Sequence, residues 1–132
     1  NGALAGLVSI TAEPLTPTMG WTCLIGGVGG VIVVYGVPLL DKFKIDDVVG
    51  AIPVHLFAGI WGTLAVVLTN PDAALGTQLY GIVVVGVFTF AVSGIAWVIL
   101  NATLGIRVSE EDEITGLDTA ELGMEAYPDF VR

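Results

Sequence analysis

The chain has 132 residues, of which 55% are hydrophobic and 13% are charged, and its formal net charge at pH 7 is −9. Soluble domains carry about 25% charged residues, so this composition excludes a disordered chain and an ordinary soluble enzyme. One cysteine and one histidine exclude an internal disulfide and a zinc site, and four basic residues exclude a nucleic-acid-binding protein. No metal or cofactor is expected.

The chain begins with a short apolar segment, residues 1–12, followed by a break with two prolines, Pro14 and Pro17. A helix needs about 20 residues to cross the hydrocarbon core of a membrane, so this segment is too short to cross. It is not a signal peptide either, because no basic residues precede it. We predict that it is the second half of a helix and that the sequence is part of a longer chain.

Three longer apolar stretches follow, and each predicts a transmembrane helix. They cover about residues 21–40, 51–68 and 78–104. Lys42 and Lys44 lie in the loop after the first of these helices, which predicts that this loop is cytoplasmic, because basic loops stay on that side. Alternation then places residues 13–20 and 69–77 outside the cell and the C-terminal tail inside.

The first of these stretches is rich in glycine. Gly26 and Gly30 form a small-residue motif that lets two membrane helices approach closely. Apolar stretches with many glycines also contain such pairs by chance. In either case, the density of small residues indicates a tightly packed bundle of helices.

Two aspartates and a proline mark the start of the helix predicted at residues 51–68. Asp46 or Asp47 is expected to cap this helix by accepting hydrogen bonds from its first backbone N–H groups. Pro53 then lies in the first turn, where a missing N–H donor costs little.

His55 is the only histidine and lies about one turn inside the helix predicted at residues 51–68. An ionisable side chain at that depth is costly, so it needs a partner or water. Helical spacing predicts that it shares one face with four small residues: Ala51, Ala58, Gly59 and Gly62. We expect this face to lie against a close neighbour or to line a narrow lumen. His55 is then either a structural histidine bonded to a carbonyl or a residue that handles protons or substrate.

The end of the chain differs in charge from the rest. Residues 105–132 carry a net charge of −6, against −3 for residues 1–104. Ser109 and Asp112 resemble a capping box, which predicts a short helix that ends at Gly116. The tail is either solvated and mobile, or docked on the inner face of the bundle through its apolar residues.

Three stretches, taken in order, resemble the Amt ammonium transporters. Residues 46–64 read DDVVGAIPVHLFAGIWGTL and resemble the tenth-helix signature of that family. Residues 1–12 resemble the second half of its eighth helix. Residues 105–127 resemble its cytoplasmic tail, including a Gly-Leu-Asp element and a Glu-Ala-Tyr element that favour Amt over Rhesus-type relatives. The resemblance covers essentially the whole chain.

The resemblance implies an all-α membrane protein in which this chain is the C-terminal part of an eleven-helix transporter bundle. Residues 1–104 would supply a half helix and three full transmembrane helices, and residues 105–132 a cytoplasmic regulatory tail. Four tail residues match the family motif: Gly116, Leu117, Asp118 and Tyr127. The family forms homotrimers of multi-pass subunits in the lipid of the cell membrane. A PII-type signalling protein binds many members at the cytoplasmic face.

The resemblance also implies a function, ammonium transport for nitrogen uptake, and not an enzyme. His55 would be the second of two paired pore histidines, with its partner on the fifth helix. Ammonium would give up its proton and cross through a hydrophobic pore whose face includes Ala51, Gly59 and Gly62. Leu56 follows His55 where many members have glycine, and this difference affects the expected width of the pore beside His55. The alternatives are an ammonium sensor and a structural membrane subunit that transports nothing.

Overall fold

The computed structural model describes residues 1–128, and every regular element in that range is a helix. The helices are α1 (Gly2–Thr11), α2 (Met19–Lys42), α3 (Ile52–Thr69), α4 (Leu75–Leu104), α5 (Glu110–Thr115) and α6 (Leu117–Leu122). The helices α2, α3 and α4 are long and apolar enough to cross a membrane. The prediction of three spanning helices after a short apolar helix is therefore confirmed. Arg132, which the sequence places in the tail, lies outside the described residues.

Contacts divide the chain into two compact units, residues 1–87 and residues 88–132. In the first unit, α1 packs against both α2 and α3, and α2 packs against α3. Most side chains of its core are small or β-branched, and they come from all three helices: Ala5, Ile25, Val33, Val54, Ala58 and Ala65. The core thus lies along the line where α1 contacts the two spanning helices.

Glycines bring α1 close to α2. A Cβ built at Gly6 would lie 3.4 Å from the carbonyl oxygen of Gly26, and one built at Gly30 would lie 3.8 Å from the carbonyl oxygen of Gly2. The small-residue motif formed by Gly26 and Gly30 therefore lies at a helix contact. In lipid this close approach matters, because helices associate there by van der Waals packing and not by the hydrophobic effect.

Ser9 lies at the point where α1, α2 and α3 meet. Its hydroxyl donates to the carbonyl oxygen of Ala5 at 2.7 Å and lies 3.4 Å from the carbonyl oxygen of Ala58 on α3. A Cβ at Gly29 on α2 would collide with this hydroxyl, and a Cβ at Gly62 on α3 would collide with the Ser9 carbonyl group. Both glycines are therefore required for three helix backbones to meet at one residue.

Polar side chains join the loops at each end of the first unit. At one end, the Asn70 side-chain amide donates to Glu13 Oε2 at 3.1 Å, which connects the loop before α2 with the loop after α3. At the other end, the Asn1 side-chain amide donates to the carbonyl oxygen of Val49 at 2.9 Å. The two loops that the sequence assigns to the outside thus lie at the same end of the unit.

The carboxylate of Asp47 marks the start of α3. Its two oxygens accept hydrogen bonds from the backbone N–H groups of Ala51 at 2.8 Å and Ile52 at 2.7 Å. The next residue is Pro53, which has no N–H to satisfy. Of the two aspartates expected to cap this helix, Asp47 makes the contact. Asp46 is exposed and accepts no hydrogen bond from residues 1–128.

The cap makes a testable contribution to stability. We expect Asp47→Ala to lower the free energy of unfolding by about 1 kcal/mol, because two N–H groups lose their acceptor. Asp46→Ala is the matched control, since it removes the same charge from the same loop and no hydrogen bond. Thermal unfolding of the purified protein in detergent measures both. Equal melting temperatures for the two variants would show that the cap contributes nothing.

The helix α4 is the longest and the least covered. It has 30 residues, and no side chain in it is buried by other described residues. At 1.5 Å per residue it extends about 45 Å, which is longer than a hydrocarbon core of roughly 30 Å and allows a tilt. Its uncharged and largely apolar surface is suited to lipid or to further helices.

The tail folds into two short helices within the second unit. Ser109 caps α5, because its hydroxyl accepts a hydrogen bond from the backbone N–H of Asp112 at 3.1 Å and donates to the Asp112 carboxylate at 2.7 Å. The predicted cap at Ser109 and the end of this helix at Gly116 are confirmed, but the Asp112 carboxylate contacts the Ser109 hydroxyl and not its backbone N–H as in a full capping box. The helix α6 is not predicted by the sequence pattern. The Asp118 carboxylate accepts a hydrogen bond from the N–H of Ala126 at 2.8 Å, which holds the chain after α6 close to its start.

Candidate functional site

His55 lies in a widened turn at the start of α3. Residues Ile52–Phe57 form a π-helix, and residues Ala58–Thr69 continue as an α-helix. The Ala58 N–H is shared between the carbonyl oxygen of Pro53, five residues earlier, and that of His55, three residues earlier. Short π-helical turns are rare in proteins, and those that do occur are frequently found at functional sites. The widened turn therefore marks this segment as a candidate site.

Most of the small residues predicted to share a face with His55 differ from it in their exposure to solvent. Ala58 and Gly62 are buried against α1 and Gly59 is half-buried, whereas His55 and Ala51 are exposed. Ala58 and Gly62 therefore differ from His55 in burial, Gly62 is a packing residue for α1, and the pore-face role of Ala51, Gly59 and Gly62 stays a prediction. The prediction of a common face assumed that α-helical spacing continues from Ala51 to Gly62. A π-helical turn contains more residues, and each extra residue rotates a side chain by roughly 100° relative to the residues beyond the turn.

The side chain of His55 points away from the packed core of the first unit. It is exposed, as is the neighbouring Leu56, and it has no hydrogen-bond partner within residues 1–128. The described helices thus offer no carbonyl group for a structural histidine. An imidazole one turn inside an apolar spanning helix needs a polar partner or water, and residues 1–128 provide no polar partner.

The opposite side of the same turn is fixed on α2. Pro53 is almost completely buried, and Phe57, Trp61 and Leu64 line an apolar groove of about 600 Å³ between α3 and α2. The indole N–H of Trp61 donates to the carbonyl oxygen of Ile25 at 3.0 Å, which ties the two helices together. The helix α3 therefore has one side held by its neighbours and one side that presents His55.

The remaining predicted site residues lie in the tail. Gly116 adopts a φ of +103° between α5 and α6, a conformation that favours glycine. Asp118 makes the hydrogen bond to Ala126 described above, and Leu117 and Tyr127 are exposed. The regulatory role of these four residues and the docking of the tail stay predictions.

The chain matches the family model of the Ammonium Transporter Family over residues 1–127. It belongs to the ammonium transporter family. The ammonium transporter Amt2 of Archaeoglobus fulgidus is 41% identical to it over 99% of this chain and 32% of that protein. The ammonium transporter Amt1 of Haloferax mediterranei is 35% identical over 99% of this chain and 26% of that protein. The ammonium transporter of Bacillus subtilis is 33% identical over 98% of this chain and 36% of that protein.

Membership of the ammonium transporter family confirms the resemblance seen in the sequence motifs. Together with three apolar helices of spanning length, it identifies the chain as part of a membrane protein. The chain spans about a quarter to a third of the length of these relatives.

Proposed function

We propose that this chain is part of a protein that conducts ammonium across the cell membrane, and that His55 lines the conduction path. The observation that carries the proposal is the family match over residues 1–127. The exposed position of His55 on an apolar spanning helix supports the role of this residue. Ala51 lies one turn before His55 and is exposed as His55 is, so its small side chain leaves room for a passing molecule.

The path must separate ammonium from potassium, which is similar in size and charge. Removing water from either ion in an apolar passage is costly, because a bare charge is poorly compensated there. Ammonium avoids this cost when it gives up its proton and crosses as neutral ammonia, whereas potassium has no proton to give. A neutral imidazole has one nitrogen that donates and one that accepts a hydrogen bond, so His55 bonds the passing molecule and offers a proton route. In this proposal, His55 is the second of two pore histidines.

The proposal includes an orientation and an assembly. Lys42 at the end of α2 and Lys44 in the loop that follows favour a cytoplasmic position for that loop, and Arg107 favours the same side for the tail. The intact protein is a homotrimer, as the resemblance implies, and each subunit has its own pore. The acidic tail lies on the cytoplasmic side, where a PII-type signalling protein can reach it.

Transport by the intact protein in proteoliposomes tests the proposal. We expect an inward ammonium gradient to produce ammonium uptake, and an equal potassium gradient to produce no more uptake than in protein-free liposomes. An ammonium sensor would bind ammonium without flux across the membrane. A structural subunit would show neither binding nor flux. Either of these two results would contradict the proposal.

Removal of the tail tests its docking. We expect deletion of residues 105–132 to lower ammonium uptake several-fold without preventing insertion into the membrane, because the tail is proposed to pack on the cytoplasmic side of the bundle. Uptake is measured per amount of inserted protein. Deletion of residues 129–132 alone is the control, since it retains α5 and α6. Full uptake after the longer deletion would count against docking.

A further inference from the structure

We propose that Gly36 on α2 is a positioning residue for His55. The absence of a side chain at position 36 allows the π-helical turn of α3 to lie directly on α2, and this contact fixes the direction in which the imidazole points. The inference rests on the proposed role of His55 in ammonium conduction.

The contact between Gly36 and the turn leaves no room for a methyl group. A Cβ built at Gly36 would lie 2.9 Å from Cβ of Pro53 and 3.2 Å from Cδ2 of Phe57. Both of these residues belong to the π-helical turn, and His55 lies between them in the sequence. A side chain at position 36 would therefore press on both ends of the turn that carries His55.

The turn has little freedom to absorb such a displacement. Pro53 cannot rotate away, because its ring is closed onto its own backbone. It is almost completely buried, its neighbour Val54 is 2% exposed, and its carbonyl oxygen accepts a hydrogen bond from Ala58. Closely packed interiors transmit displacements to their neighbours. A shift of Pro53 therefore moves the backbone of the turn, and His55 moves with it.

Other glycines of α2 have different neighbours, which provides a matched control. Built Cβ atoms at Gly26, Gly29 and Gly30 meet residues of α1, and one at Gly27 meets no atom of residues 1–128 within 4 Å. Gly27→Ala therefore makes the same chemical change on the same helix without a steric effect. It also reproduces the gain in helix propensity that accompanies a glycine-to-alanine change.

The experiment compares four variants of the intact protein in proteoliposomes: Gly36→Ala, Gly27→Ala, His55→Ala and the double variant Gly36→Ala/His55→Ala. The readouts are the ammonium flux and the ratio of ammonium to potassium flux. We expect Gly36→Ala to lower the ammonium flux at least roughly tenfold, because small misplacements of an aligned functional group have effects of this order. We expect Gly27→Ala to match the wild type. We expect the double variant to match His55→Ala, since Gly36 acts through the imidazole.

The pattern of outcomes distinguishes a failure of this inference from a failure of the proposed role of His55. If His55→Ala lowers the flux and Gly36→Ala matches Gly27→Ala, the positioning role is overturned and the proposed function stands. If His55→Ala changes neither readout, both fail. If the losses of the two single variants add in the double variant, Gly36 does not act through His55 and the inference is overturned.

A second variant covers the case in which Gly36→Ala does not reach the membrane. Phe57→Ala removes one of the two groups that contact Gly36 and adds no volume. We expect it to loosen the turn and to lower both the ammonium flux and the flux ratio. Wild-type values for a correctly inserted Phe57→Ala protein would overturn the inference.

Discussion

Replacing His55 with alanine is expected to lower the ammonium flux of the intact protein by about two orders of magnitude, which is the contribution that a positioned proton-transfer group makes in enzymes. The alanine side chain has no nitrogen to bond ammonia and offers no proton route. The flux is measured in proteoliposomes under a fixed ammonium gradient. Leu68→Ala is the control, because Leu68 lies on the same helix, is also exposed and is remote from the π-helical turn.

A second substitution at this position separates hydrogen bonding from proton transfer. His55→Gln retains a donor and an acceptor but does not take up a proton near neutral pH. We expect it to conduct less ammonium than the wild type and to remain closed to potassium. Unchanged flux and unchanged selectivity in both His55→Ala and His55→Gln would remove His55 from the mechanism.

The second large effect concerns the assembly of α1, α2 and α3. A Cβ at Gly62 would collide with the backbone carbonyl group of Ser9, and a backbone group cannot rotate out of the way. We expect Gly62→Ala to lower the free energy of unfolding by about 3 kcal/mol, at the upper end of the usual cost of overpacking. Thermal unfolding in detergent measures the loss.

The control for this change lies on α4. A Cβ at Gly81 meets no atom of the described part of the chain within 4 Å, so Gly81→Ala is expected to leave the stability unchanged or to raise it slightly. If Gly62→Ala and Gly81→Ala unfold at the same temperature, the three-helix contact at Ser9 is not as close as described.

The spanning helices could be predicted because their apolar runs are long and bounded by prolines and charges. The start of α5 could also be predicted, since Ser109 and Asp112 form a local pattern that needs no tertiary contact. The choice between Asp46 and Asp47 stayed open, because it depends on the direction of each side chain in the loop. The sequence pattern does not reveal α6, because this helix has only six residues and is held by a hydrogen bond between Asp118 and Ala126, which are eight positions apart.

The candidate site was predicted only in part. The position of His55 within an apolar helix is visible in the sequence, but the π-helical turn is not, because the periodicity of a single helix does not reveal one extra residue. The contact of Gly36 with Pro53 and Phe57 exists only once α2 and α3 are packed. These two features decide which way His55 points, and both are tertiary properties.

The position of the His55 ring in an experimental structure of the intact protein in a lipid bilayer tests the central claim most directly. We expect the imidazole to border an enclosed passage, shielded from acyl chains, with Pro53 and Phe57 in contact with Gly36. A ring in contact with acyl chains, or packed among bulky side chains with no passage beside it, would contradict the account.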